Sequence, residues 1–216
     1  MKHVLFDLDG TLINSLPGIA QSLNRALEQH QFQTHTIEDI EEFIGNGSRT
    51  LCQRASAHTS EDEETIDLLD AAFKINYQEL WKDGTEIYAG ISKLLEKLSK
   101  NHELSILSNK PHNFTTEIIH TLFPSIPFHT ILGQRDGISK KPDPSGIQEI
   151  LSQASDPDAV TFLIGDSVVD LTTARNAAIQ SIAVTWGFEP ISDLTELSPD
   201  HIAHSVSELE TIINTL

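Results

Sequence analysis

The sequence predicts an α/β fold, in which a doubly wound parallel sheet carries a helical segment inserted after its first strand. Short apolar runs of strand length recur along the chain, and helical patterns separate most of them. Between residues 15 and 85 the pattern changes to helical stretches without a convincing strand. Strands that alternate with helices are typical of a parallel sheet covered on both faces. A chain of 216 residues is long enough for such a core and a smaller insert.

The predicted strands are short apolar-rich runs, and the first, Val4-Leu5-Phe6, ends at Asp7. Further runs lie at about 104–107, 130–132, 160–164 and 181–184, and helices are predicted at about 112–122, 143–153, 168–177 and 206–215. Open sheets of this kind bind ligands beyond the carboxyl ends of their strands. We therefore expect the functional side chains to follow the strand ends.

The insert is predicted to contain helices at about 16–30, 36–43, 47–58 and 62–81. Leu23, Ala26 and Leu27 show the helical spacing of an apolar face. We expect residues 1–14 and 86–216 to form the core domain. Residues 15–85 are expected to form a helical domain that can fold over the active end of the sheet.

The charge balance excludes several classes of partner. Fourteen Lys and Arg residues against 32 Asp and Glu residues give a formal net charge of −18, which repels nucleic acid and anionic lipid. No apolar run reaches the roughly 18–20 residues that span a bilayer, and no signal-peptide pattern opens the chain. A single cysteine, Cys52, forms no intramolecular disulfide and fits a reducing compartment. We expect a cytoplasmic protein without membrane or nucleic-acid partners.

Two closely spaced aspartates, Asp7 and Asp9, follow the first predicted strand, and Gly10 lets the chain turn away. Two close carboxylates need a cation, or one of them must hold a proton. One could attack phosphorus while the other acts as acid and base. From this motif alone, an acidic turn or a structural metal site is the alternative.

Two polar motifs follow later strands. Ser108-Asn109 comes directly after residues 104–107 and could donate hydrogen bonds to a phosphoryl oxygen, or cap the following helix. In Lys140-Lys141-Pro142-Asp143-Pro144, an ammonium beside stiff backbone could neutralise both a phosphate and a nucleophile. Adjacent lysines are usually surface charge, but the following proline makes Lys141 the better candidate.

A second acidic pair, Asp166 and Asp170, follows the apolar run at 160–164. Asp170 lies one helical turn after Asp166, so both carboxylates could face one site. Oxygen ligands from Asp7, Asp9 and Asp166 suit a hard cation such as Mg²⁺. Zinc is not expected, because the sequence has no cysteine cluster and no histidine pair at metal-ligand spacing.

Taken together, the motifs DLDGTL, SN, KKPDP and GDSVVD resemble, in order and spacing, those of the haloacid dehalogenase-like hydrolase superfamily. The resemblance covers essentially the whole chain and is to the phosphatase branch, which has a Rossmann-like core. It implies that Asp7 is the nucleophile and that Asp9 is first the general acid and then the base. The presence of Asp9 favours phosphate ester hydrolysis over dehalogenation, since a halide leaving group needs no proton.

The same resemblance implies the remaining roles at the site. Mg²⁺ would be held by the side chains of Asp7 and Asp166 and by the backbone carbonyl of Asp9. Ser108 and Lys141 would bind the transferring phosphoryl group. Asp170 would orient Lys141 or a metal-bound water.

The helical insert resembles the cap of the phosphoglycolate phosphatase group. The loop that contains Gly45 and Gly47 is similar to a cap loop whose backbone N–H groups approach substrate, although a plain helix-connecting turn is the alternative. Arg49 could bind a substrate carboxylate bidentately or be solvated. Trp186-Gly187-Phe188 resembles a loop near the active site of this group. The expected substrate is a small phosphorylated metabolite, 2-phosphoglycolate.

Other readings stay open at this stage. Capped relatives act on sugar phosphates, nucleotides or pyrophosphate, and a β-phosphoglucomutase-like phosphotransferase would use the same two aspartates. A non-catalytic phospholigand-binding protein would be expected to lose one of Asp7, Asp9, Lys141 or Asp166, and all four are present. The sequence allows a monomer or a homodimer.

Overall fold

A computed structural model describes residues 1–57, 62–156 and 158–215. The chain divides into two compact units, the first formed by Met1–Ile13 with Ile87–Leu216 and the second by Asn14–Glu86. In chain order the strands are β1 His3–Phe6, β2 Ile13–Asn14, β3 Glu86–Ile87, β4 Glu103–Pro111, β5 Thr130–Gln134, β6 Thr161–Gly165, β7 Gln180–Val184 and β8 His201–Ala203. The helices are α1 Leu16–Gln29, α2 Ile37–Phe43, α3 Ser48–Ser56, α4 Glu63–Leu80, α5 Ile91–Leu98, α6 His112–Leu122, α7 Ser145–Ser152, α8 Val168–Asn176, α9 Ile191–Glu196 and α10 Val206–Thr215.

The first unit contains a six-stranded parallel sheet in the order β5-β4-β1-β6-β7-β8. Strand β1 lies between β4 and β6, with His3 level with Glu103 on one side and with Thr161 on the other. Val4, Leu5 and Phe6 are fully buried. A central strand covered on both faces needs apolar residues on both, which explains the continuous apolar run. The predicted fold class is confirmed.

Most elements of the first unit were predicted from the sequence, although β4 extends four residues beyond the predicted 104–107. The structure confirms the four helices predicted in this unit, as α6, α7, α8 and α10. Helices α5 and α9, the edge strand β8 and the two-residue strands β2 and β3 were not predicted. Strand β8 has three residues, which is too short for the alternation that identifies a strand.

The second unit consists of helices α1 to α4, and three of them, α1, α2 and α4, begin at a recognisable signal. Pro17 lies in the first turn of α1, where a missing N–H costs nothing. Thr36 caps α2 in a capping box with Asp39, and Asp62 caps α4. The apolar faces bury residues such as Leu23 and Leu69. The role of this unit as a cap stays a prediction.

None of the helices in the described ranges is both long enough and apolar enough to cross a bilayer.

Candidate active site

The two acidic motifs meet because their strands are neighbours. Strand β1 ends at Phe6 and β6 ends at Gly165, so Asp7 and Asp166 leave adjacent parallel strands at the same edge of the sheet. The backbone N–H of Asp7 donates to the carbonyl of Ile164 at 2.9 Å, which continues the pairing to the nucleophile candidate. Gly10 has a φ of 81°, and a Cβ at this position would overlap the carboxylate of Asp166. The turn after Asp7 therefore requires glycine both for its backbone and for its close approach to Asp166.

Three carboxylates converge at this edge. Asp7, Asp166 and Asp170 each offer an oxygen within 4.8 Å of the others, and no other such acidic group occurs in the parts of the chain that the structure describes. Asp170 is fully buried in the first turn of α8, where its Oδ2 accepts hydrogen bonds from the backbone N–H and the hydroxyl of Ser167. This capping box fixes the orientation of the Asp170 carboxylate.

Lys141 supplies the ammonium within this group. Its side chain is buried, with Nζ 2.9 Å from Oδ1 of Asp7 and 2.6 Å from Oδ1 of Asp170. Its backbone is fixed by Asn109, whose amide oxygen accepts from the N–H of Lys141 at 2.8 Å and whose amide nitrogen donates to the carbonyl of Lys141 at 3.1 Å. Asn109 therefore supports the loop of Lys141, and its contact with a phosphate stays a prediction.

Burial dominates the electrostatics of these groups. It raises the pKa of Asp7 to about 7 against the opposing effect of Lys141, and Asp170 adds to the rise. Burial, followed by the charges of Asp170 and Asp7, raises the pKa of Asp166 well above its usual range. Burial alone would lower the pKa of Lys141, but Asp170 and Asp7 outweigh it and raise that pKa. Lys141 thus stays charged, and the carboxylates need more positive charge to be ionised together.

The residues present fit a hard divalent cation. Three ionised carboxylates beside one ammonium leave two uncompensated negative charges in a buried site. The available donor atoms of Asp7 and Asp166 are oxygens, which hard cations prefer. Oδ1 of Asp170 is paired with the ammonium of Lys141, and its Oδ2 already accepts two hydrogen bonds from Ser167. Each oxygen of Asp166 accepts one hydrogen bond from an uncharged donor and keeps a lone pair, so Asp166 fits the role of ligand and Asp170 a supporting role.

Two further groups hold Asp166 in place. The hydroxyl of Thr11 donates to Oδ1 of Asp166 at 2.8 Å, and the backbone N–H of Phe188 donates to Oδ2 at 2.9 Å. A Cβ on Gly187 would overlap the Asp166 side chain, so the loop of Trp186-Gly187-Phe188 approaches Asp166 closely only because residue 187 has no side chain. The indole N–H of Trp186 donates to the carbonyl of Thr11 at 3.1 Å. The loop singled out by resemblance thus lies against the predicted metal ligand.

Ser108 is a strand residue rather than a helix cap. It lies within β4, is buried, and accepts a hydrogen bond from the N–H of Lys110 at 3.2 Å. The residue before α6 is Pro111, so the alternative that Ser108 caps the next helix is wrong. Because the hydroxyl acts as acceptor towards Lys110, its hydrogen remains available for a phosphoryl oxygen.

The carboxylate of Asp9 contacts a lysine that sequence reasoning missed. Nζ of Lys110 lies 3.0 and 3.1 Å from the two carboxylate oxygens of Asp9. Lys110 directly follows Ser108-Asn109 in a chain poor in basic residues, and that position was the only available signal. The side chain of Asp9 is not part of the three-carboxylate group, so the proposed use of Asp9 as a metal ligand concerns its backbone carbonyl.

The predicted cap residues lie in the second unit. Gly45 and Gly47 have φ values of 110° and 86°, and Gly47 is the residue before α3. This loop does connect two helices, as the plainer alternative held. Arg49 forms an ion pair with Glu63 and another with Asp67 at 2.8 Å. Substrate binding by Gly45, Gly47 and Arg49 stays a prediction.

Comparison with known proteins agrees with the geometry. Residues 4–184 match the family described as haloacid dehalogenase-like hydrolase. A phosphoglycolate phosphatase of Psychrobacter arcticus is 30% identical over 213 residues, which are 95% of this chain and 93% of the relative. Phosphoglycolate phosphatase 1 of Pseudomonas aeruginosa is 29% identical over 96% of this chain and 78% of its own length. A crystal structure from Lactobacillus delbrueckii subsp. bulgaricus, provisionally named as a phosphoglycolate phosphatase, is 30% identical with a TM-score of 0.88 over 98% of both chains.

The chain belongs to the haloacid dehalogenase-like hydrolases, and the resemblance predicted from its four motifs is confirmed. Within that family it is an enzyme of the phosphatase branch, with curated relatives that carry the name phosphoglycolate phosphatase.

Proposed function

We propose that the protein is a Mg²⁺-dependent phosphatase that hydrolyses 2-phosphoglycolate through an aspartyl-phosphate on Asp7. The observation that carries this proposal is the placement of Lys141. Its buried ammonium contacts Asp7 and Asp170 while Asp166 lies beside them. A nucleophile that must approach an anionic phosphate requires such charge neutralisation.

In the first step, an oxygen of Asp7 forms a bond to phosphorus as the bond from phosphorus to the ester oxygen breaks. Asp9 gives its proton to that leaving oxygen, and the alcohol departs. In the second step, water attacks phosphorus, Asp9 takes a proton from the water, and the bond between phosphorus and Asp7 breaks. Inorganic phosphate leaves, and both aspartates return to their starting forms.

The other residues bind and orient the reacting groups. The hydroxyl of Ser108 donates to a phosphoryl oxygen, and Lys141 neutralises charge on both the phosphoryl group and Asp7. Asp170 and Asn109 hold Lys141 in place. Bound by Asp7, Asp166 and the backbone carbonyl of Asp9, Mg²⁺ would supply further charge neutralisation.

The choice of substrate depends on the relatives and on the cap. Curated relatives with the name phosphoglycolate phosphatase match nearly the whole chain. We propose that residues 15–85 form the cap, that the loop of Gly45 and Gly47 meets the substrate, and that Arg49 binds its carboxylate. Arg49 is about 40% exposed and paired with acidic side chains, so substrate would have to replace those partners.

A cytoplasmic location fits a small-metabolite enzyme with one buried free cysteine.

Phosphate release from a panel of esters tests this proposal. The panel contains 2-phosphoglycolate, sugar phosphates, nucleotides and pyrophosphate, each assayed with Mg²⁺ and with a chelator. Asp7→Asn is assayed beside Asp193→Asn, a matched change at an exposed position of α9. We expect preference for 2-phosphoglycolate, loss of activity in Asp7→Asn and on chelation, and full activity in Asp193→Asn.

Each contrary result removes a definite part of the proposal. Preference for another ester with the same dependencies would discard the substrate and keep the chemistry. Net transfer of phosphate between sugars without release would favour the phosphotransferase. Activity that survives Asp7→Asn would contradict the covalent mechanism, and binding without turnover of any ester would favour a non-catalytic protein.

A further inference from the structure

We propose that Lys110 is a positioning residue that holds the Asp9 carboxylate in the orientation required for proton transfer to the leaving group. The inference rests on the proposed function, because it assumes that Asp9 is the general acid. It is carried by one contact, in which Nζ of Lys110 lies 3.0 and 3.1 Å from the two oxygens of Asp9.

The geometry of this contact restricts the carboxylate. Both oxygens of the ionised carboxylate accept from the ammonium at nearly equal distances, so rotation of the carboxylate would lengthen one of the two hydrogen bonds. In the protonated form, one oxygen carries the proton to be transferred and the other still accepts from Lys110. The side chain of Lys110 is 7% exposed and that of Asp9 is 16% exposed. Water therefore competes weakly with this pair, unlike the exposed pairs that contribute little.

The backbone of Lys110 is fixed independently of Asp9. Its N–H donates to the hydroxyl of Ser108, and its carbonyl accepts from the hydroxyl of Thr115 at 3.2 Å. A Cβ on Gly133 would lie 2.7 Å from the carbonyl oxygen of Lys110, so the neighbouring strand approaches this peptide closely. The ammonium thus projects from the end of β4, so its contact with Asp9 ties the orientation of that carboxylate to the sheet.

Orientation matters at the step in which the ester bond breaks. Asp7 bonds to phosphorus, the ester bond breaks, and the proton of Asp9 must reach the departing oxygen. General acid catalysis contributes roughly 10²- to 10⁴-fold, and a misplacement of about 1 Å can cost about 10²-fold. An alkoxide is a poor leaving group and needs that proton, whereas a nitrophenolate leaves without it.

This difference gives a measurable signature. A loss of position at Asp9 lowers kcat/KM for an alkyl phosphate and spares kcat/KM for an aryl phosphate. The ratio of the two values is independent of the concentration of folded enzyme, so partial misfolding of a variant does not imitate the effect. A purely structural role for Lys110 would lower both values together.

The experiment measures kcat/KM with Mg²⁺ for ethyl phosphate, 2-phosphoglycolate and p-nitrophenyl phosphate. The variants are Lys110→Met, Lys110→Arg, Asp9→Asn and the double variant Asp9→Asn/Lys110→Met. Lys97→Met is the matched control, because Lys97 pairs with Glu210 on the surface of the same unit.

We expect Lys110→Met to lower the ratio of ethyl to p-nitrophenyl phosphate by about 10- to 100-fold. Lys110→Arg should recover most of this loss, and Lys97→Met should leave the ratio unchanged. Asp9→Asn should lower the ratio at least as much. In the double variant the ratio should equal that of Asp9→Asn, since Lys110 then has no acid left to position.

Three results would overturn the inference in distinguishable ways. An unchanged ratio in Lys110→Met, with the loss still present in Asp9→Asn, would remove Lys110 alone. A loss confined to 2-phosphoglycolate would mean that Lys110 binds the substrate carboxylate instead of positioning Asp9. An unchanged ratio in Asp9→Asn would remove the general acid of the proposed function, and the role of Lys110 with it.

Discussion

Replacement of Lys141 by methionine tests the electrostatic balance of the site without removing a predicted ligand. The ammonium lies 2.9 Å from Asp7 and 2.6 Å from Asp170. At an effective dielectric constant of about 20, each contact is worth about 6 kcal/mol of gross attraction. Burial of the lysine offsets much of that attraction. Removal of one partner from a buried pair typically costs about 3–5 kcal/mol, because the remaining charges are left uncompensated.

We therefore expect Lys141→Met to lower the free energy of unfolding by about 3–5 kcal/mol in metal-free protein. For a chain of this size that corresponds to a fall in Tm of about 6–20 °C. Urea unfolding followed by circular dichroism in the presence of a chelator measures the change. Lys140→Met is the matched control, since Lys140 is an exposed neighbour, and it should remain within about 0.5 kcal/mol of the parent protein.

A compensating variant separates charge from packing. Asp170→Asn removes one of the two carboxylates that contact Lys141, so Lys141→Met/Asp170→Asn should recover part of the lost stability but none of the activity. Equal stability of Lys141→Met and Lys140→Met would refute the claim that this ammonium balances the buried carboxylates. An unrecovered loss in the double variant would attribute the effect to packing.

Two further predictions concern the metal and the far end of the sheet. Thr11→Val removes the hydroxyl that donates to Asp166, so the Mg²⁺ concentration for half-maximal activity should rise about 10- to 100-fold, whereas the matched buried change Thr173→Val should leave it unchanged. Burial lowers the pKa of His3 against the opposing effect of Glu103, so the unfolded chain binds more protons there. The contribution of His3 to stability should be full above about pH 6.5 and be lost as the pH falls below it, and His3→Gln should weaken that part of the pH dependence in urea unfolding at pH 5 and pH 7. An unchanged Mg²⁺ requirement in Thr11→Val would contradict the role of Thr11 in holding Asp166. An unchanged pH dependence in His3→Gln would contradict the lowered pKa of His3.

The strand ends were predictable because their chemistry is local in sequence. Two apolar runs, one before Asp7 and one before Asp166, predict two buried strands. Parallel strands bring their carboxyl ends to the same edge of a sheet. Lys141 was distinguished from Lys140 by the proline that follows it. In the structure Lys141 is buried and Lys140 is exposed.

The contacts that were missed join residues far apart in sequence. Thr11 reaches Asp166 and Lys110 reaches Asp9 only after the sheet has placed their strands side by side. A lysine next to a motif is usually solvated, so the position of Lys110 after Ser108-Asn109 was too weak a signal to distinguish it from surface charge. Glu63 and Asp67, the partners of Arg49, lie on α4, which begins 14 residues after Arg49. These ion pairs likewise form only when the two helices pack together.

The central claim, a phosphoryl group carried by Asp7, is tested most directly in the Asp9→Asn variant with p-nitrophenyl phosphate and Mg²⁺. An aryl leaving group departs without a proton, while hydrolysis of the intermediate still needs the missing base. We expect a burst of one nitrophenolate per active site, followed by slow turnover, and peptide mapping after borohydride reduction should place homoserine at position 7. A steady release of nitrophenolate without a burst, or a borohydride-reduced residue at any position other than 7, would contradict the account.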